Sequence, residues 1–158
     1  MSDLSHVDRS GQARMVDVSG KEITARFARA TGTISMSREA LEAVRKNTVE
    51  KGDVLAVAKI AGIMAAKRTA ELIPLCHPLP LTDVQVIVTV DDTIPGLRVE
   101  SAVRTAGKTG VEMEALVAVS VTLVTVYDMV KSLDRSMVIS GICLAEKTGG
   151  RSGHWKRT

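Results

Sequence analysis

A long run without charge follows a glycine turn in the second half of this 158-residue chain and constrains its fold more than any other feature. Residues 107–114 read Gly-Lys-Thr-Gly-Val-Glu-Met-Glu, and no residue from Ala115 to Val126 is charged. Thr109 and Gly110 are both acceptable N-caps, and acidic side chains in a first turn suit the helix dipole. A helix that is apolar on nearly every face is buried all round. We therefore expect a core helix here, covered by its own domain, by a second subunit, or by both.

Asp128 and Lys131 stand at the far end of this helix, three positions apart and hence on one face. An aspartate near a helix C-terminus opposes the helix dipole, so helix formation does not explain Asp128. The residues alone leave two interpretations open. The pair is either a solvated surface ion pair, which is common and weak, or an acid–base pair kept at the end of a buried helix.

The composition is that of one globular domain in the cytoplasm. Hydrophobic residues make up 45% of the chain and charged residues 25%, and no uninterrupted apolar run is long enough to span a membrane. The polar N-terminus has no signal-peptide core. Two cysteines, Cys76 and Cys143, are too few for a disulfide framework.

The charge pattern favours a small anionic ligand over a nucleic acid. The formal net charge is +3, but Phe27, Tyr127 and Trp155 are the only aromatic residues, and they cannot build a stacking platform for bases. A modest positive excess fits a nucleotide or phosphate ester better. We expect no nucleic-acid partner and no membrane partner.

Apolar periodicity predicts the order strand, helix, helix, strand, strand, helix, strand. The predicted strands cover residues 29–36, 84–90, 97–104 and 137–144, and the helices before the long one cover 38–46 and 54–72. This is the βαββαβ pattern of an α+β ferredoxin-like fold, with an additional helix after the first strand and helices on one face of an antiparallel sheet.

The predicted division of the chain has three parts. Residues 1–27 form a polar N-terminal arm, 28–146 the ferredoxin-like catalytic domain, and 147–158 a flexible, basic, glycine-rich tail. Because the second face of such a sheet needs cover, we expect a homo-oligomer.

The sequence Gly107-Lys108-Thr109 looks like the end of a Walker A loop, but Ala102 stands where that motif requires glycine. A P-loop NTPase is therefore excluded. What remains is a glycine turn between a strand and a helix, with free N–H groups and a nearby lysine, which is a reasonable anion site.

Two further segments carry candidate residues. Three prolines stiffen the loop of Cys76 and His77, which is a poor zinc pattern because no second ligand cluster accompanies it. We predict no metal and interpret His77 as a substrate donor or a packed loop histidine. Lys51 lies just before a helix N-terminus, among free backbone N–H groups, where it could be a functional residue. The alternative interpretation is an ordinary exposed loop lysine. The residues alone indicate a phosphate-bearing small molecule and lysine–aspartate acid–base chemistry.

The sequence closely resembles the cyclic pyranopterin monophosphate synthase family, the molybdenum cofactor biosynthesis accessory protein C proteins. The matching blocks are Lys-Gly-Asp-Val at 51–54, Ala-Gly-Ile-x-Ala-Ala-Lys-Arg-Thr at 61–69, Leu-Ile-Pro-Leu-Cys-His-Pro-Leu at 72–79, Gly-Lys-Thr-Gly-Val-Glu-Met-Glu-Ala-Leu at 107–116 and Tyr-Asp-Met at 127–129. Arg14-Met15-Val16-Asp17 and the Lys-Thr-Gly-Gly-Arg-Ser-Gly segment from 147 match too.

The resemblance implies a lyase that converts 3′,8-cyclo-7,8-dihydroguanosine 5′-triphosphate into cyclic pyranopterin monophosphate and diphosphate. It implies a homohexamer, a trimer of dimers, with the pocket shared between subunits, so that Lys51 and Asp128 can come from different chains. No cofactor is expected beyond a Mg²⁺ ion with the triphosphate.

The resemblance also implies a role for individual residues. The acid–base set is Asp128, Lys51 and Lys131. The substrate contacts are Leu75, Cys76, His77, Met113 and Glu114, and the phosphate-holding residues are Lys147, Arg26, Arg104, Lys67 and Lys108.

Two rival functions stay open beside this one. A non-catalytic, nucleotide-binding regulator would use the same scaffold, since the ferredoxin-like fold carries both kinds of function. A thiol-dependent hydrolase would use Cys76 as nucleophile and His77 as base.

Overall fold

In the computed structural model the chain folds into a five-stranded antiparallel sheet with helices packed on one face. The structure describes residues 10–158. The elements in chain order are β1 Thr24–Ser35, α1 Arg38–Arg45, α2 Val54–Lys67, α3 Thr69–Leu72, β2 Leu81–Asp91, β3 Gly96–Gly107, α4 Glu112–Val130, β4 Val138–Thr148 and β5 Trp155–Lys156. The sheet order β2-β3-β1-β4-β5 confirms the predicted ferredoxin-like α+β fold. The predicted helix 54–72 is interrupted at Arg68, between α2 and α3.

β1 is the central strand and pairs along its whole length with β3, from Thr24 opposite Gly107 to Ser35 opposite Gly96. Its other edge pairs with β4. Alternate residues of the strands point to the helices, as the fully buried Ile34, Val99 and Val103 show. α4 packs on β1, β3 and β4, and α2 packs on α4 and β2. The period-two patterns predicted for the hairpin therefore correspond to the core face.

The second face of the sheet, away from the helices, carries paired charged side chains. Arg29 forms an ion pair with Glu146 at 2.8 Å and approaches Glu100 at 3.5 Å. Cover of this face by a second copy of the chain stays a prediction. Exposed apolar side chains lie on both layers, at Val57, Ile60 and Met64 of α2 and Val124 of α4, and at Ile87 of β2 and Val138 of β4.

α4 is a core helix whose apolar sequence is explained mainly by its own domain. By length and composition it is the one helix among residues 10–158 that could cross a membrane, but 56% of that window is buried within the domain. Its N-cap is Val111, without a side-chain cap, so the prediction of Thr109 or Gly110 was wrong. Val111 is fully buried, and burial of this side chain decides where the helix begins.

The ends of the chain are less simple than the predicted arm and tail. β1 begins at Thr24, inside the predicted arm, and residues 1–9 of that arm lie outside the described residues. β4 continues to Thr148, across the predicted boundary at 147. Part of the predicted flexible tail forms β5, which pairs with β4 through Lys147 opposite Trp155.

Gly62 allows α2 and α4 to approach closely, because a Cβ there would overlap the Thr122 hydroxyl and lie 2.9 Å from the Ala118 carbonyl oxygen. We expect Gly62→Val to lower the free energy of unfolding by about 2–3 kcal/mol, since overpacking would push the two helices apart. Urea unfolding followed by circular dichroism measures this change. The matched control is Ala56→Val at an exposed position of α2. Equal stability of the two variants would contradict the close approach.

Candidate active site

Lys51, Asp128 and Lys131 form one ion cluster at the C-terminal end of α4. The Lys51 Nζ donates to Asp128 Oδ2 at 2.7 Å and to the Asp128 carbonyl oxygen at 2.9 Å. The Lys131 Nζ donates to Asp128 Oδ1 at 2.7 Å. All three residues meet within a single chain, so the separate subunits that the resemblance allows for Lys51 and Asp128 are not needed for this contact.

The antiparallel packing of α2 and α4 explains why residues 77 positions apart meet. Gly62, in the middle of α2, faces Ala118 and Thr122 of α4. Lys51 stands in the turn just before Asp53, which caps α2 with its side chain. The start of α2 therefore lies at the end of α4, where Asp128 and Lys131 project.

The cluster holds a permanent negative charge between two ammonium groups. Hydrogen bonds from Lys131 and Lys51 lower the pKa of Asp128 to about 2, so this carboxylate is ionised at neutral pH. The side chains of Lys51, Asp128 and Lys131 are 45%, 54% and 52% exposed. Exposed ion pairs contribute little to stability. The cluster therefore offers two accessible proton donors, positioned by one carboxylate.

A pocket of about 270 Å³ lies near the opposite end of α4 and is called here the His77 pocket. It is lined by Leu75, Cys76, His77, Met113 and Glu114, the five predicted substrate contacts, together with other side chains that include Val16 and Val18 of the N-terminal arm. The loop after α3 lies beside the first turn of α4, because α2 packs along α4 and α3 follows α2 directly.

His77 binds the N-terminal arm as well as lining the pocket. Its Nε2 lies 2.7 Å from the Val16 carbonyl oxygen. A carbonyl oxygen only accepts, so Nε2 carries the proton and Nδ1 is left for other partners.

Glu114 and Cys76 are both perturbed by burial in this pocket. Desolvation raises the pKa of Glu114, which is 4% exposed, and the neighbouring Glu112 charge raises it further against a backbone hydrogen bond that lowers it. Desolvation, and then the Glu114 charge, raise the pKa of the Cys76 thiol. A thiol with a raised pKa is a poor nucleophile at neutral pH.

A larger pocket of about 700 Å³, here the basic pocket, adjoins the His77 pocket through shared walls. Its charged lining residues are Lys21, Glu22, Arg26, Lys108, Glu112, Lys147 and Arg151. Thr109 and Gly110, just before α4, line both pockets. Five cations against two carboxylates, beside a helix N-terminus, form a field suited to a polyphosphate.

Three of the predicted phosphate-holding residues line the basic pocket, and each is engaged within the protein. The Lys147 Nζ lies 2.7 Å from Glu112 Oε1, and the Lys108 Nζ donates to the Ser19 carbonyl oxygen at 2.8 Å. Arg26 donates to the carbonyl oxygens of Gly107 and Lys108, at 3.4 Å each.

The two other predicted phosphate-holding residues lie elsewhere. Arg104 is on the opposite face of the sheet, with its guanidinium 4.6 Å from the centre of the Phe27 ring, because β3 directs alternate side chains away from the helices. Lys67 lines a smaller pocket that shares His77, Leu79 and Glu114 with the His77 pocket. Neither belongs to the lining of the basic pocket.

Lys21 and Arg151 line the basic pocket but were not among the predicted site residues. The arm that carries Lys21 shows no periodicity, and Arg151 follows two glycines in a segment expected to be flexible. The one available signal for Arg151 was the match of the 147–153 segment to the family. Across residues 10–158 no group of three or more His, Cys, Asp or Glu side chains is arranged to hold a metal ion.

The ion cluster and the two pockets lie at opposite ends of α4. Glu114 and Asp128 are fourteen residues apart on this helix, a rise of about 21 Å. A nucleotide-sized molecule in the pockets of one chain therefore lies far from the ion cluster of that chain.

The sequence of the chain matches one protein family and several named relatives. The MoaC family matches residues 15–150. The chain is 59% identical to a protein named cyclic pyranopterin monophosphate synthase from Thermomicrobium roseum, over 99% of this chain and 95% of the relative. Relatives of the same name from Cereibacter sphaeroides and Heliobacterium modesticaldum are 58% and 57% identical over 99% of this chain, and over 98% and 99% of their own lengths.

Proposed function

The chain belongs to the MoaC family, and we propose on that premise the reaction that it catalyses. It is an enzyme of molybdenum cofactor biosynthesis, a cyclic pyranopterin monophosphate synthase. Its substrate is 3′,8-cyclo-7,8-dihydroguanosine 5′-triphosphate, and its products are cyclic pyranopterin monophosphate and diphosphate. The reaction class is that of a phosphorus–oxygen lyase.

This reaction needs proton transfer and charge neutralisation, and no redox step. The guanine ring is opened and rebuilt as a pterin, which moves several protons. Closure of the cyclic phosphate forms a new P–O bond at the α-phosphorus and breaks the bond to the β-phosphate, so that diphosphate leaves with the released charge. Lysine ammonium groups serve both needs, as proton donors and as positive charge near the leaving group.

The convergence of Lys51 and Lys131 on Asp128 is the observation that carries the proposal. Asp128 stays ionised and holds both ammonium groups at 2.7 Å, so it orients them and balances their charge. We assign proton transfer to the two lysines and orientation to Asp128. The His77 pocket receives the ring system, and the basic pocket receives the phosphates.

A complete site in this proposal combines two copies of the chain. The ion cluster of one copy lies about 21 Å, by helix rise, from the pockets of the same copy. The exposed apolar side chains of α2 and Val124 provide a surface for association. We propose that the ion cluster of one subunit faces the pockets of another, in a homohexamer built as a trimer of dimers.

The proposed setting is the cytoplasm, with no protein-bound cofactor. A Mg²⁺ ion in the reaction would enter with the triphosphate of the substrate.

Product analysis tests the function directly. The purified protein is incubated with the cyclised GTP substrate, and cyclic pyranopterin monophosphate and diphosphate are quantified. Equal amounts of the two products are expected. Binding of the substrate without turnover would favour the nucleotide-binding regulator instead.

Cys76→Ser separates the proposed reaction from a thiol-dependent hydrolase. We expect turnover to fall less than about tenfold, the size of one weak contact, because the thiol is not the nucleophile. Cys143→Ser is the control, since the other free cysteine lies outside the pocket linings. Loss of all turnover in Cys76→Ser alone would support the hydrolase.

A further inference from the structure

We propose that Lys21 and Arg151 bind the diphosphate portion of the substrate, and that Lys108 and Arg26 position them. This inference rests on the proposed function and deepens it, because it assigns the binding of the leaving group to two residues outside the predicted set. Its basis is which cationic side chains of the basic pocket already form hydrogen bonds or ion pairs within the protein and which do not.

The cations expected to hold phosphate are already engaged. Lys147 is neutralised by Glu112, while Lys108 and Arg26 donate to main-chain carbonyl oxygens. Within residues 10–158, Lys21 and Arg151 are the two cations of this pocket whose side chains make no hydrogen bond or ion pair. Both are exposed at the wall of the pocket. They are therefore ready to bind an anion without first losing a partner.

Lys21 lies where the two pockets meet, on a short segment that we call the strap, residues 16–21. It lines both the His77 pocket and the basic pocket. The strap is held from both pockets, by His77 at the Val16 carbonyl oxygen and by Lys108 at the Ser19 carbonyl oxygen.

The strap also has internal order that directs Lys21. The Ser19 N–H donates to Asp17 Oδ1 at 2.8 Å, and the Lys21 N–H donates to the Val18 carbonyl oxygen at 3.0 Å. Val16 and Val18 are half-buried against the His77 pocket, while the residues between and after them are exposed. Lys108 thus acts on the ligand through the strap that carries Lys21.

Arg151 stands on the turn that follows β4. The Gly153 N–H donates to the Gly150 carbonyl oxygen at 3.2 Å and closes this turn. Gly150 has φ +72°, and a Cβ there would overlap the Arg26 guanidinium. Arg26 therefore lies between this turn and the carbonyl oxygens of Gly107 and Lys108. The Arg26 side chain therefore packs against the Arg151 turn while its N–H groups bind the opposite wall of the pocket.

Inorganic pyrophosphate is the probe for the test, with its Kd measured by calorimetry on the full oligomeric protein. Lys21→Ala and Arg151→Ala should each raise this Kd about tenfold, the size of one charge-assisted hydrogen bond. Lys21→Arg, which keeps the positive charge, should weaken binding less than Lys21→Ala does. In steady-state assays with the cyclised GTP substrate, KM should rise while kcat changes little. The control is Lys46→Ala, at the C-cap of α1, whose exposed ammonium group pairs with Glu42 and lines neither pocket.

Double variants test the positioning role of Lys108. If Lys108 acts through Lys21, then Lys21→Ala/Lys108→Ala binds pyrophosphate no more weakly than Lys21→Ala, although Lys108→Ala alone weakens binding. Additive losses would show that Lys108 itself contacts the anion, which would overturn its positioning role.

The same measurements separate the failure of this inference from that of the proposed function. Wild-type turnover, together with a pyrophosphate Kd unchanged in Lys21→Ala and Arg151→Ala, would overturn the inference alone. Absence of turnover by the wild-type protein would overturn the proposed function.

Discussion

Replacement of Asp128 by alanine is expected to lower kcat by at least about a hundredfold, the usual size of an acid–base contribution. The reason is geometric. One carboxylate fixes both the Lys51 and the Lys131 ammonium groups at 2.7 Å, so its loss releases both proton donors at once. Lys51→Ala and Lys131→Ala should each cause a loss of the same order. Steady-state assays with the cyclised GTP substrate measure it.

The stability of these variants provides the control. All three side chains are about half exposed, so their removal should leave the thermal unfolding midpoint nearly unchanged. Asp92→Ala, which removes the exposed partner of Arg45, is a matched variant that should keep wild-type turnover. Turnover close to that of the wild type in any two of the three cluster variants would overturn the assigned roles.

Mixing two inactive variants is expected to restore activity. Asp128→Ala lacks a working ion cluster, and His77→Ala lacks a working pocket. Random pairing of equal amounts of the two variants makes half of the dimers mixed. If each site takes its cluster from one subunit and its pockets from another, each mixed dimer contains one intact site. Random reassembly of a two-fold dimer then yields about a quarter of wild-type activity. Co-expression with two affinity tags isolates the mixed species for assay.

Each variant carried through the same reassembly with itself is the control for this recovery. Light scattering confirms that the mixed species has the mass of the wild-type oligomer, six times the 16.8 kDa chain in the proposed hexamer. An activity equal to the mean of the two parents would mean that every site is complete within one chain. That result would contradict the shared site.

The order of elements was predictable because the pattern of each segment reflects its burial. The valines of β2 alternate, and their side of the strand faces the helices. The start of α4 was not predictable from capping preferences, since the burial of Val111 outweighs the cap that Thr109 would provide. Local preference is weak compared with burial of an apolar side chain.

The sequence indicated candidate residues for the site but not their arrangement in space. The resemblance named Lys51, Asp128 and Lys131 together, and the structure brings their side chains into contact. Their meeting in one chain depends on the antiparallel contact of two helices at Gly62. The position of Lys21 depends on hydrogen bonds between side chains and a distant main chain. Such long-range contacts leave no periodic trace in the sequence.

The strap is held by hydrogen bonds to its main-chain carbonyl oxygens, and this determines which sequence changes the family can tolerate in this segment. His77 and Lys108 donate to the carbonyl oxygens of Val16 and Ser19, groups that every amino acid supplies. Apart from Asp17 and Lys21, whose side chains have roles of their own, substitutions at the solvent-facing positions of this segment should therefore cost little. Adding or deleting a single residue there should cost more, because it would move Lys21 out of register with the cavity mouth.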